Sequence, residues 1–184
     1  MKPSTESIRA LLRSGDVRRA ERDVRQLLTQ APEHPEGLYL LGCVRMEAGS
    51  LDEAIALFER AAALRPAQPE LLEALSGALL RHGDLEGAET NALLAQQCAP
   101  ERSRPFNLLG LIALDRGDFE TALQRFSRAV SMDMPNLDAT TNMAVALNRL
   151  GDWRGAEDWS RSALKLAPHH PGAWINLGDR KSVV

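Results

Sequence analysis

Apolar residues recur along this chain at three- and four-residue intervals in short runs: Leu38, Leu41, Val44 and Met46 in one, then Leu51, Ile55, Phe58 and Ala61 in the next. That spacing lines one face of a helix, and polar residues fill the intervening positions. The same alternation returns as Leu72, Leu75 and Leu79 followed by Leu85, Ala92 and Ala95, and again as Phe106 and Leu109 followed by Phe119, Leu123, Phe126 and Ala129. The pattern predicts paired amphipathic helices throughout.

The pairs keep a fixed period. Gly15, Gly49, Gly83, Gly117 and Gly151 stand 34 residues apart without a gap. With glycine at about 7% of residues, four further matches at one offset have a chance on the order of 10⁻⁵. Ala20, Ala54, Ala88, Ala122 and Ala156 keep the same register, as do Pro32, Pro66, Pro100 and Pro168, with Pro135 displaced by one. Each glycine precedes Asp16, Ser50, Asp84, Asp118 or Asp152, as expected where a chain leaves one helix through a left-handed residue and an acidic or hydroxyl side chain caps the next. The prolines end the second helix, and Pro35, Pro69 and Pro171 are suited to begin the following first helix. The alanines mark where two helices of a hairpin come closest. Five units follow, residues 1–34, 35–68, 69–102, 103–136 and 137–170, with a partial sixth at 171–184, together read as a single domain.

Leu38, Leu41, Gly42, Ala54, Phe58, Ala61 and Pro66, with Phe106, Leu109, Gly110, Ala122, Phe126 and Ala129 and with Trp174, Leu177 and Gly178, resemble the tetratricopeptide repeat in one register. The resemblance implies an all-α, right-handed superhelical solenoid of helix-turn-helix hairpins that acts as a protein-binding scaffold or adaptor. In the first unit Ser4 and Ser7 replace the large apolar pair and Ile8 replaces the small residue, as an N-terminal capping unit tolerates. Lys181 and Ser182 fall where earlier units carry Leu or Met, so 171–184 reads as a lone capping helix or as part of a longer array.

The resemblance further implies a concave groove lined by the first helix of each unit. The residues expected there are Tyr39, Leu40, Cys43, Met46 and Glu47; Glu73, Ala74, Gly77, Leu80 and Arg81; Arg104, Asn107, Leu108, Leu111 and Asp115; Asp138, Thr141, Asn142, Val145, Asn148 and Arg149; and Ile175 and Asn176. An apolar groove with a charged rim suits an amphipathic helix or an extended apolar segment of a partner protein. Leu40, Leu108 and Leu111 either line that groove or pack between units. Asn142 and Asn176, in equivalent places, are similar to two rungs of the asparagine ladder in the helical arm of the protein O-linked N-acetylglucosamine glycosyltransferases. Two further readings stay open: a substrate-recruiting, non-catalytic arm of a larger enzyme, and self-association through the terminal units.

Composition narrows the functional classes. At 44% hydrophobic residues, 4% aromatic and net charge −3, the 184-residue chain reads as an ordinary globular cytoplasmic protein whose core is built from small side chains. Its first 25 residues carry seven Lys or Arg against four Asp or Glu, which reads as a wet outer face or a dock for an acidic partner. Basic residues are otherwise dispersed, so nucleic acid is not an expected partner, and no apolar run is long enough for membrane insertion.

No phosphate loop, paired cysteines, His-Glu-x-x-His or Gly-x-Ser-x-Gly occurs, so neither catalysis, a cofactor nor a metal is expected. Cys43 and Cys98 read as reduced thiols, His169 and His170 as a solvated turn, and Glu70 and Glu73 as solvated groove charge. Trp159 reads as an exposed anchor or as packing for the sixth unit. Ser182, Val183 and Val184 resemble a PDZ-binding terminus.

Overall fold

The computed structural model describes residues 3–178, and the expected C-terminal motif and the Lys181–Ser182 departure lie outside them. Eleven helices and no strand occur among the described residues. The chain divides into two compact units, residues 1–98 and 99–184. The first holds α1 (Thr5–Arg13), α2 (Val17–Gln30), α3 (Pro35–Glu47), α4 (Leu51–Leu64), α5 (Pro69–His82) and α6 (Leu85–Cys98). The second holds α7 (Ser103–Asp115), α8 (Phe119–Met132), α9 (Leu137–Leu150), α10 (Trp153–Leu166) and α11 (Pro171–Gly178). The fold is an all-α helical repeat.

The turn within each hairpin is set by its glycine. All five adopt φ between 78° and 93°, where a side chain would be strained. At Gly49 the glycine N–H donates to the Met46 carbonyl and the next N–H, of Ser50, to that of Arg45, so two carbonyls left over at the end of α3 are satisfied. The same pair of bonds closes the turns at Gly15, Gly83, Gly117 and Gly151. Asp16, Asp84, Asp118 and Asp152 then accept from a backbone N–H three residues on, at 2.9–3.2 Å. Ser50 departs from the expected pattern, since its side chain makes no capping bond.

Packing within a hairpin follows a size rule that pairs one position of the first helix with one of the second. Gly42 and Gly110 face Phe58 and Phe126; a methyl group on Gly42 would come within 2.5 Å of the Phe58 ring, and one on Gly110 would meet the same ring edge of Phe126. In that register the other hairpins carry Ile8 with Val24, Ser76 with Ala92 and Ala144 with Ser160, and all these residues are buried. An aromatic side chain is thus used only where its partner has vanished, and close packing is preserved. Ser76 satisfies its buried hydroxyl on the Ala88 carbonyl at 2.8 Å, whereas the Ser160 hydroxyl has no partner among the described residues. The register alanines 20, 54, 88, 122 and 156 are all buried, as closest approach requires.

At the start of the chain, Ser4 and Ser7 cap α1 reciprocally, each backbone N–H bonding the other's hydroxyl at 3.1 Å. They are therefore working caps and not merely tolerated replacements. Trp159 is half-buried, not an exposed anchor, and packs against the cluster of Ala113, Phe126, Met143 and Ala146. Trp174 is 56% exposed and Ile175 62% exposed, although the register equivalents of Trp174, namely Leu38, Leu72, Phe106 and Thr140, are buried. No helix of the described residues is long and apolar enough to cross a membrane.

Candidate functional site

In the second unit, the first helices of successive hairpins, α7 and α9, border an open trough of about 560 Å³. It brings together the expected residues Arg104, Asn107, Leu108, Leu111, Asp138, Thr141 and Asn142, and adds Ser103, Asp133, Asn136 and His170. Two side chains that point to the same side of their helices meet across the trough: the Asn142 amide Nδ2 donates to Asn107 Oδ1 at 3.0 Å. That bond leaves Asn107 its amide N–H groups and Asn142 its amide oxygen, a donor beside an acceptor. Leu111 is half-buried and also packs on the core beneath, while Leu108 is buried.

At one end of the trough, polar groups of three elements converge. Asn136, the residue before α9, accepts from the Ala139 N–H at 2.9 Å and donates its amide to Ser103 Oγ at 3.4 Å. Ser103 Oγ in turn donates to Asp133 at 3.4 Å. His170 is anchored as the residue preceding α11, its Nδ1 accepting from the Ala173 N–H at 3.2 Å. His34 holds the equivalent place before α3, with Nδ1 accepting from the Gly37 N–H at 3.1 Å. Reading His170 as part of a solvated turn missed this role; the identical spacing of His34, Asn136 and His170 from Gly15, Gly117 and Gly151 was the available signal.

A second cleft, of about 470 Å³, lies in the first unit and is lined by Tyr39, Leu40, Cys43 and Glu47 together with Arg9, Leu12, Arg13, Gly15 and Val17. Leu40 borders it but is only 1% exposed, since it packs with Ile8, Val24 and Val44 in the core. Here the chain occupies part of its own groove. Arg9 Nε donates to Glu36 Oε1 at 2.6 Å, and its guanidinium lies 5.6 Å from the centre of the Tyr39 ring. Partial burial opposes the Arg9 charge, but the hydrogen bond and charge of Glu36 outweigh it and raise the guanidinium above its ordinary value.

The other expected residues lie apart from these two clefts. Met46 and Leu80 are half-buried, and Arg81, exposed, reaches the Met46 carbonyl at 3.5 Å. Glu73, read as a solvated charge, is buried with 3% exposure, and Ala74 is buried beside it. Val145 is half-buried and Arg149 exposed. Asn148 and Asn176 border a small cleft with Trp153 and Leu177, where the Asn148 amide donates to the Asn176 carbonyl at 3.4 Å. The two supposed ladder rungs both spend an amide N–H inside the protein, Asn142 on Asn107 and Asn176 on the Thr141 carbonyl at 3.4 Å. Cys43 is half-buried and Cys98 exposed, and neither is in a disulfide among the described residues. No cluster of three or more His, Cys, Asp or Glu able to hold a metal occurs among the described residues.

The sequence model described as "Tetratricopeptide repeat" matches residues 5–69, 39–103 and 107–179. The TPR repeat-containing protein PA4299 of Pseudomonas aeruginosa is 35% identical over 131 residues, which span 70% of this chain and 51% of that protein. The human protein O-mannosyl-transferase TMTC1 is 26% identical over 155 residues, 81% of this chain and 17% of its own length. The chain therefore spans about half or less of these curated relatives. Among solved structures, a thermophilic TPR protein of Thermus thermophilus superposes with a TM-score of 0.82 at 20% identity, covering 95% of both chains. YrrB, whose structure is described as a TPR protein with an unusual peptide-binding site, superposes with a TM-score of 0.65 at 19% identity, covering 91% of this chain and 87% of YrrB.

Proposed function

The chain belongs to the tetratricopeptide repeat family, and from that footing we propose that it is a non-catalytic scaffold whose α7–α9 trough holds an extended segment of a partner protein. The observation that carries this reading is the Asn107–Asn142 pair. A peptide group offers one N–H and one C=O, and the pair leaves an acceptor and a donor to meet them. Leu111 supplies apolar contact beside the pair, and the lining is otherwise rich in amides, hydroxyls and carboxylates. That balance suits an extended backbone more than the apolar face of a helix, which would strand those polar groups without partners.

The test is selection of peptides from a random display library on the intact protein, followed by binding of the selected peptides to an Asn107→Ala, Asn142→Ala double variant. Binding weakened more than tenfold with unchanged helix content supports the reading. Equal binding by the variant removes the trough from it. A second reading, a recruiting arm within a longer protein, is favoured by the match to short stretches of much longer relatives. Fusing the chain to an unrelated catalytic domain should then raise turnover of peptide-tagged substrates at low concentration and leave untagged ones unchanged.

A further inference from the structure

The 34-residue period allows one groove of the protein to serve as a template for another. A shift of 102 residues, three periods, carries Arg9 onto Leu111, Glu36 onto Asp138 and Tyr39 onto Thr141. In the first unit this position is filled from within, with the Arg9 guanidinium on the Glu36 carboxylate. In the second unit the carboxylate is kept while the guanidinium is replaced by leucine. Asp138 and Leu111 both line the trough, and Asp138 is exposed without an ion-pair partner among the described residues.

A second carboxylate stands in the same trough. Asp138 lies in the first turn of α9, where the helix dipole alone would favour an acid. Asp133 has no such reason. It is the residue that closes α8 at its C-terminal end, where a negative charge is disfavoured, and the equivalent residues are Ala31, Arg65, Ala99 and Ala167. Its hydrogen bond from Ser103 is long, at 3.4 Å, and it too has no ion-pair partner among the described residues. Arg104, on the same rim, has an interaction of its own.

We infer that the segment held in the α7–α9 trough carries an arginine, whose guanidinium takes at Asp138 the place that Arg9 takes at Glu36, with Asp133 as its second acceptor. Arginine suits the site better than lysine because its planar fork can serve two carboxylates at once, and its stem can lie along Leu111. This inference rests on the peptide-binding reading above and gives it a partner chemistry.

The test uses the intact protein and an immobilised library of nine-residue peptides with Arg, Lys, Gln or Glu at the centre and mixed residues elsewhere. Binding of the Arg set at least fivefold above the Gln set, with Lys between them and Glu lowest, is the expected result. In Asp138→Asn the Arg advantage should shrink to within about twofold while Gln-centred peptides bind as before. Leu111→Arg should fill the site from within, as in the first unit, and remove the Arg advantage without loss of helix content. Equal binding of the four sets, a preference for Glu, or an Arg preference that survives in an Asp133→Asn, Asp138→Asn double variant overturns the inference and leaves the peptide-binding reading standing. No binding by any set overturns both.

Discussion

The hairpins α7–α8 and α9–α10 are neighbours in the second unit and share their turns and register, yet they are packed in opposite ways. In the first, Gly110 removes its side chain so that Phe126 can fill the interior. In the second, Ala144 occupies that space and the facing residue shrinks to Ser160, whose buried hydroxyl has no partner among the described residues. One wall of the trough thus stands on a hairpin with a large aromatic centre, and the other on a hairpin that stores an unsatisfied polar group. Repeats that look alike by period can differ in stability through a single exchanged pair, and in a repeat protein such differences stay local.

The largest effect should come from Phe126→Ala, which empties the centre of α7–α8 and costs about 3–5 kcal/mol. Native-state hydrogen exchange should show that loss in α7 and α8 first, and an equal loss spread over all hairpins would contradict the local picture. Next comes transplantation of the aromatic pair. Ser160→Phe alone collides with the Ala144 methyl, and adding Ala144→Gly should recover about 1–3 kcal/mol, measured as the coupling in a double-mutant cycle. Absence of coupling would mean that the two residues do not face each other as Gly110 and Phe126 do. Ser160→Ala, which only removes the stranded hydroxyl, should stabilise α9–α10 by about 1 kcal/mol in urea unfolding.

The smallest effect concerns the caps. The Thr121 hydroxyl, and then its backbone N–H, hold the Asp118 carboxyl below its ordinary value. The group's folded-state affinity for a proton is depressed, so its contribution to α8 is present above the unfolded value of about 3.9 and fades as pH falls through the folded value. Asp152 meets Gly155 instead and has no hydroxyl there. Thr121→Gly should therefore move the Asp118 titration, followed by NMR, upward toward that of a free carboxyl. An unmoved midpoint would assign the shift to another cause.

Much of the fold was legible because its determinants are local and periodic. A glycine at a left-handed turn, an aspartate after it and a proline two residues past a helix each act within a few residues, so their spacing declares them. The Gly42–Phe58 and Gly110–Phe126 pairs were visible as motif positions, but the compensating exchange at Ala144 and Ser160 emerges only when both helices are seen in contact. The trough was legible in part: its leucines and asparagines follow from helix faces. Whether Asn107 and Asn142 point to solvent or to each other depends on side-chain torsions that no period encodes. Glu73 was misjudged for a related reason, since residue type sets the cost of burial but not the neighbours available to offset it.

The bond that starts α11 constrains the chemistry of the imidazole beside the trough. Because Nδ1 of His170 accepts from a backbone amide, its lone pair is spoken for and the N–H that the ring can offer is the one on Nε2. That nitrogen is a donor, so the ring can offer its N–H to an oxygen beside the trough.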